Sequence, residues 1–146
     1  MKNKNNLAFT LIEILVVIAI IGVLIGLSLF GLTGARESSR NAKRKADLEL
    51  LRGAIETYRS DCGQYPAVLA SPLVGTTTPP SACSSTNVYL SEIPVDPITS
   101  YSYRYYSDGI IYEICAYLET SDAPAVACGG VSTCGAKPCN YKVINP

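Results

Sequence analysis

The sequence predicts an α+β protein in which a long N-terminal α-helix carries a small antiparallel β-sheet domain on its rear half. Three observations lead there. Residues 14–35 carry no charge, and no proline interrupts residues 9–62, whose rear half repeats apolar residues at intervals of three and four. Runs dense in Tyr and Ile flank Ser107-Asp108-Gly109, a hairpin signal. All six cysteines lie beyond the apolar run, as in a small disulfide-stapled domain.

The front of the helix reads "AFTLIEILVVIAIIGVLIGLSLFGLTGA", residues 8–35. A span of ~20 apolar residues suffices to cross a bilayer. Gly22, Gly26, Gly31 and Gly34 each weaken a helix in water by ~1 kcal/mol relative to alanine, and serve either as flex points or as places of close helix packing. In the rear half, Leu48, Leu51, Ile55, Tyr58 and Cys62 form an apolar stripe with Ala42, Ala46, Leu50 and Ala54 beside it. Arg44, Lys45, Glu49, Arg52, Glu56 and Arg59 are expected on the other faces. The two halves together predict one helix of about 53 residues, ~80 Å long at 1.5 Å per residue.

Gly63 suits a C-cap and Pro66 follows it, so "DCGQYP" ends the helix. "ASPLVGTTTPPSACSST", residues 70–86, is a polar, Pro-rich loop without a core-forming period. The apolar piece "VYLSEIP" leads into the turn "VDP". Strands are expected near residues 101–106 and 110–118, with a third through "NYKVIN" after the Gly- and Cys-rich loop 121–139. Once the apolar segment is set aside, roughly 110 residues remain, enough for one small domain.

The net charge of zero hides segregation. Residues 36–59 hold seven basic and four acidic residues, whereas beyond residue 60 Arg104, Lys137 and Lys142 face seven acids. Lys2 and Lys4, with no acid near them, favour a cytoplasmic N-terminus, although the basic stretch after the span pulls the other way. The cysteines Cys62, Cys83, Cys115, Cys128, Cys134 and Cys139 support the first orientation, because they place the domain in an oxidising compartment. Zinc is the weaker reading of these residues, since histidine and Cys-x-x-Cys pairs are both absent. Six cysteines allow ~15 pairings; the expectation is that Cys62 bridges to Cys83 and that the other four staple the C-terminal third. Without histidine there is no ordinary catalytic triad, and no Gly-rich phosphate loop follows a strand, so the chain reads as non-enzymatic.

Glu13 stands at the front edge of the apolar run. An ionised carboxylate at the centre of a membrane helix costs roughly 2.5–3.5 kcal/mol on the insertion scale, so such a residue marks function. A secretory signal peptide cut after Ala35 would have a shorter apolar core of about 7–15 residues and no use for Glu13. An inert anchor leaves Glu13 unexplained as well.

A third reading starts from "KNKNNLA|FTLIE": a basic polar leader, small Ala8, aromatic Phe9, then Glu13 as the fifth residue after the bar. This resembles the type III signal of the type IV pilins and pseudopilins, strongly over residues 2–35 and more weakly through "GQYP" to "YLSEIPVDP". The resemblance implies a type IV pilin-like fold and cleavage by a prepilin peptidase between Ala8 and Phe9, with N-methylation of Phe9. It implies a leader at 1–8, a transmembrane and polymerisation segment at 9–35, and a globular domain at 36–146. It further implies a homo-oligomeric filament built by an assembly platform and its ATPase, in which Glu13 of one subunit meets the new amine of a neighbour.

The leading expectation is therefore a pilin subunit of a type IV pilus-like filament, held in the bacterial cytoplasmic membrane and then extracellular. The alternatives are the major pseudopilin of a type II secretion system with a periplasmic filament, a minor pilin acting as an adhesin or DNA-binding subunit, or a secreted binding module. Two positions depart from the family pattern: Ala8 stands where glycine is usual, and Phe30 where a proline is common. Related major pseudopilins hold calcium in loops after "DP". Here Asp96, Asp108 and Asp122 are the candidate donors, but Ile98 and Thr99 replace the usual Trp-Gly, and turn or cap roles fit these acids better. No metal or other cofactor is expected. The basic "RNAKRK", residues 40–45, reads as a solvated helix face rather than a nucleic-acid or lipid site. The tyrosines of "YSYRYY" read as strand packing rather than an adhesive or conducting surface.

Overall fold

Helix α1 runs over Leu11–Cys62 in a computed structural model that describes residues 10–78 and 82–146, the side chains of residues 29–31 excepted. It ends as "DCGQYP" requires. Gly63 takes a φ of 80° and donates its N–H to the Arg59 carbonyl at 2.8 Å, a left-handed cap that a side chain would strain. The chain divides into two compact units, Met1–Arg36 and Glu37–Pro146. The first contributes the apolar front of α1.

The second unit is organised around a three-stranded antiparallel sheet in the order β3-β4-β7, formed by Arg104–Ser107, Tyr112–Ala116 and Tyr141–Ile144. Asp108 shapes the β3–β4 turn by accepting the N–H groups of Ile110 and Ile111 on Oδ1, both at 2.9 Å, and Gly109 takes a φ of 90°. Alternation along β4 sends Tyr112, Ile114 and Ala116 to one face, where they meet Leu48, Leu51 and Ile55 of α1 together with Tyr65 and Val143. Cys115 points to the opposite face, into a second buried layer made of Cys115, Cys128, Cys134 and Cys139 with Tyr117 and Val126 against it. A central strand covered on both faces explains why four of its five residues are buried.

Two short ladders complete the unit. β1 (Leu73–Val74) pairs with β2 (Val88–Leu90). The sequence reads the first of these as loop because a two-residue ladder leaves no period. What orders it is burial of Leu73 against Ala54, Tyr58 and Cys62, with the Cys62–Cys83 disulfide closing the segment. β5 (Thr133–Cys134) and β6 (Lys137–Pro138) form a hairpin inside the stretch expected to be irregular. Its turn begins at Gly135, with a φ of 75° at the first central position. A β-carbon there would also overlap the Ser100 carbonyl oxygen, so the site demands glycine twice over.

The remaining disulfides are Cys115–Cys128 and Cys134–Cys139. Chain-entropy arguments assign about 3 kcal/mol to each of the two longer closed loops and about 2 kcal/mol to the shortest. Together these approach the whole stability of an ordinary domain, about 5–15 kcal/mol.

Candidate assembly site

The front of α1 offers its apolar side chains to the surroundings: Leu11 is 83% exposed, and Ile12, Ile18, Val23 and Leu27 are each exposed by more than half. It is a helix long and apolar enough, by length and composition, to cross a membrane. Thr10 and Glu13 close its N-terminus. Thr10 donates its N–H and its hydroxyl to Glu13 Oε2, both at 2.8 Å, and Glu13 returns its own N–H to Thr10 Oγ1 at 3.3 Å. That reciprocal arrangement is a capping box, which satisfies helix N–H groups that no preceding turn can serve. The carboxylate also lies at the positive end of the helix dipole. Ala8 and Phe9, the expected processing residues, lie outside the described residues.

The rear of α1 is tied to the sheet domain by a buried ion cluster that the sequence reading did not foresee. Arg44, expected on an outward face of a solvated "RNAKRK" stretch, is 0% exposed. Its Nε and Nη2 donate to Asp96 Oδ2 and Oδ1 at 2.7 and 3.0 Å, a bidentate pair. Its Nη1 donates to Glu119 Oε1 at 2.6 Å and to Asn41 Oδ1 at 2.9 Å. Arg40 adds a second fork onto Glu119, through Nε at 2.7 Å and through Nη2. Lys43 pairs with Asp47 one turn on, at 3.2 Å. A signal for this was present: Asn41 and Arg44 extend the stripe Leu48, Leu51, Ile55 backwards at the same spacing of three and four. The residue types hid it, because an arginine at a core position is read as outward unless a partner is known. Leu50, expected beside the stripe, is instead about half exposed.

Electrostatics follow the geometry. The hydrogen bond from Arg40, and then those from Arg44, hold the Glu119 carboxyl down at about 2 against the opposing effect of burial. Burial works to lower the proton affinity of Arg44, but its bonds to Asp96 and Glu119 outweigh that and raise it. Lys142, at 2.7 Å, and the Gly129 N–H lower Glu113.

Most of the tyrosines pack as strand and core residues, whereas Tyr106 of β3 is 42% exposed. Tyr112 and Tyr65 stack edge to face at 4.7 Å and both donate to Glu56. Tyr103 reaches Asp47 at 2.7 Å, and burial pushes the Tyr105 phenol, which donates to the Pro66 carbonyl, up to about 12.

Two of the three candidate calcium donors, discounted on sequence, are engaged elsewhere. Asp96 gives both oxygens to Arg44 and also accepts the Ile98 N–H on Oδ1 at 2.8 Å, while Asp108 serves its turn. Asp122 is exposed, and among the described residues no three acidic, cysteine or histidine side chains gather as a metal site would need. The residues present do not fit calcium.

Comparison with known proteins agrees with this architecture. Residues 3–29 match the prokaryotic N-terminal methylation motif, and residues 31–122 match the family described as type II secretion system (T2SS), protein G. Similar curated proteins are all named type II secretion system core protein G. The one from Escherichia coli K12 is 38% identical over 93 residues, 61% of this chain and 64% of that protein. Those from Klebsiella pneumoniae (34% over 98 residues, 64% and 70%) and Aeromonas hydrophila (30% over 104 residues, 66% and 71%) are similar to it as well. The match therefore spans less than two thirds of the E. coli protein's own length. No solved structure matches the chain. With most of its length matched, from the capped apolar helix to the sheet domain, this chain belongs to the type II secretion system protein G family.

Proposed function

We propose that this chain is the major pseudopilin of a type II secretion system, a structural subunit rather than an enzyme. The observation that carries the reading is the sequence of two matches along one chain: a methylation motif at 3–29 running directly into a protein G domain at 31–122. It favours the secretion filament over the type IV pilus that led the sequence-based expectation. The two share polymerisation through the N-terminal helix and differ in what the filament does.

In this reading a prepilin peptidase removes residues 1–8 on the cytoplasmic side and methylates Phe9. Residues 9–35 hold the subunit in the membrane and residues 36–146 fold outside it. A platform with its ATPase then draws subunits into a periplasmic filament. Two features support the role given to Glu13. Its carboxylate is already ordered by Thr10, and both of those bonds fall on Oε2, so that among the described residues Oε1 is the oxygen left to meet a cation on a neighbour. Pairing with a neighbour's methylated amine adds a charge interaction that the capping box lacks, in surroundings of low dielectric where charge pairs strengthen. Assembly thereby relieves the cost of keeping a carboxylate in the bilayer.

Deletion of the gene in the native host tests the reading. Loss of enzyme export on deletion, with no filaments of this chain sheared from the parent strain, supports the secretion role; export that survives deletion, with parental surface filaments made mostly of this chain, refutes it. Mass spectrometry of the mature N-terminus checks processing, with a chain starting at methylated Phe9 expected. A chain starting at Met1 or Arg36 refutes the pathway.

A further inference from the structure

We infer that the segment from Tyr117 to Asn140, between β4 and β7, takes its shape from thiol oxidation and needs no divalent cation. The donor set argues the negative half. Asp96 is clasped by the Arg44 guanidinium on both oxygens, so a cation placed there would sit against a buried positive charge. Asp108 spends Oδ1 on two backbone amides, and Asp122 stands without two further acidic side chains among the described residues.

The positive half comes from what does hold the segment. Its regular structure amounts to one hairpin of two-residue strands and an isolated bridge between Cys128 and Val131, with a few backbone hydrogen bonds such as Val126 N–H to the Cys139 carbonyl, little to order it unaided. Its interior is four cysteines, each at most 1% exposed, with Tyr117 and Val126 packed against them. Cys115–Cys128 ties the middle of the segment to the central strand, and Cys134–Cys139 closes the hairpin just before β7. Asn140 then locks the two ends together. It accepts the Leu118 N–H at 2.7 Å and donates to the carbonyls of Leu118 and Ser121.

Every one of these clamps depends on covalent closure of the cysteine layer or lies next to it. Closure of each pair converts two thiols to one disulfide. Two protons and two electrons leave to an external disulfide, which becomes a dithiol. The four-residue pairing of β7 with β4 lies outside both closed loops, so what the exchange sets is the shape of the segment before it, which forms only where such an oxidant is present.

The test uses the full-length chain in detergent micelles, with thermal melting followed through tyrosine near-ultraviolet dichroism. Calcium chloride and EGTA are each expected to leave the melting temperature of the oxidised chain unchanged. A water-soluble phosphine reductant is expected to abolish the cooperative transition or to lower it by tens of degrees, and Cys115→Ser/Cys128→Ser to lower it without any reductant. A rise with calcium, or a fall with EGTA, overturns the cation half; because the reductant also opens Cys62–Cys83, a Cys115→Ser/Cys128→Ser chain that melts with the parent overturns the oxidation half. All of these readings come from the isolated chain and are indifferent to filament formation, so their failure is separable from failure of the secretion role.

Discussion

Replacing Arg44 by methionine removes the guanidinium and keeps much of the stem's bulk. In the parent the Asp96 side chain is 1% exposed and takes two of its hydrogen bonds from Arg44, leaving only the Ile98 N–H once the arginine is gone. Glu119 keeps Arg40 and the solvent beside it, so its loss is smaller. Deleting one partner of a buried ion pair costs about 3–5 kcal/mol, because the other charge stays buried without compensation. For a domain of this size about 4 °C of melting temperature goes with each kcal/mol, which converts to a fall of roughly 12–20 °C. The measurement is a thermal melt of the full-length chain in detergent at neutral pH, read by tyrosine near-ultraviolet dichroism. Adding Asp96→Asn to Arg44→Met removes the stranded charge and retains an acceptor for Ile98, so the double variant is expected to recover at least half of the loss. A single variant within about 4 °C of the parent, or a double variant no better than the single, would refute the claim that charge compensation rather than side-chain volume holds this site.

Acid offers a second handle. Glu119 has a folded-state value near 2, below its ordinary 4.5, so its stabilisation is complete above about pH 4.5 and drains away as the pH falls toward 2. Glu119→Gln should lower stability at neutral pH and flatten that acid limb, which urea titrations at several pH values would reveal; an unchanged limb would remove Glu119 as its source. Cys62→Ser/Cys83→Ser should cost about 3 kcal/mol by loop entropy and expose β1 to proteolysis near residue 74, and a chain as protease-resistant as the parent would contradict this. Ile114→Ala, in the fully buried centre of the sheet, should cost about 2–5 kcal/mol, measured by the same melts. Glu13→Gln keeps a capping acceptor for Thr10 but loses the charge, so cross-linking in the native membrane should show folded monomer and few filament ladders. Normal ladders would sink the charge-pair mechanism.

Much of this protein was legible from its sequence, for a physical reason that differs by element. The apolar helix declares itself because a bilayer span needs an unbroken run of one kind of residue, and composition alone records that. The rear stripe Leu48, Leu51, Ile55, Tyr58 and Cys62 was readable because helical periodicity is local, and all five are buried in the fold. The β3–β4 hairpin was readable because Asp108-Gly109 writes its own turn.

Tertiary structure alone decided what depends on residues distant in the chain. Asp96 lies 52 residues from Arg44 and Glu119 lies 75 away, so only the fold turns two surface-type charges into a buried pair and takes Asp96 out of reach of a cation. The ladder of Leu73–Val74 and the hairpin at Gly135 are likewise too short to carry a period. They exist because disulfides and close backbone approach hold them. Local pattern set the helix and the main hairpin, and long-range charge and covalent closure settled the rest.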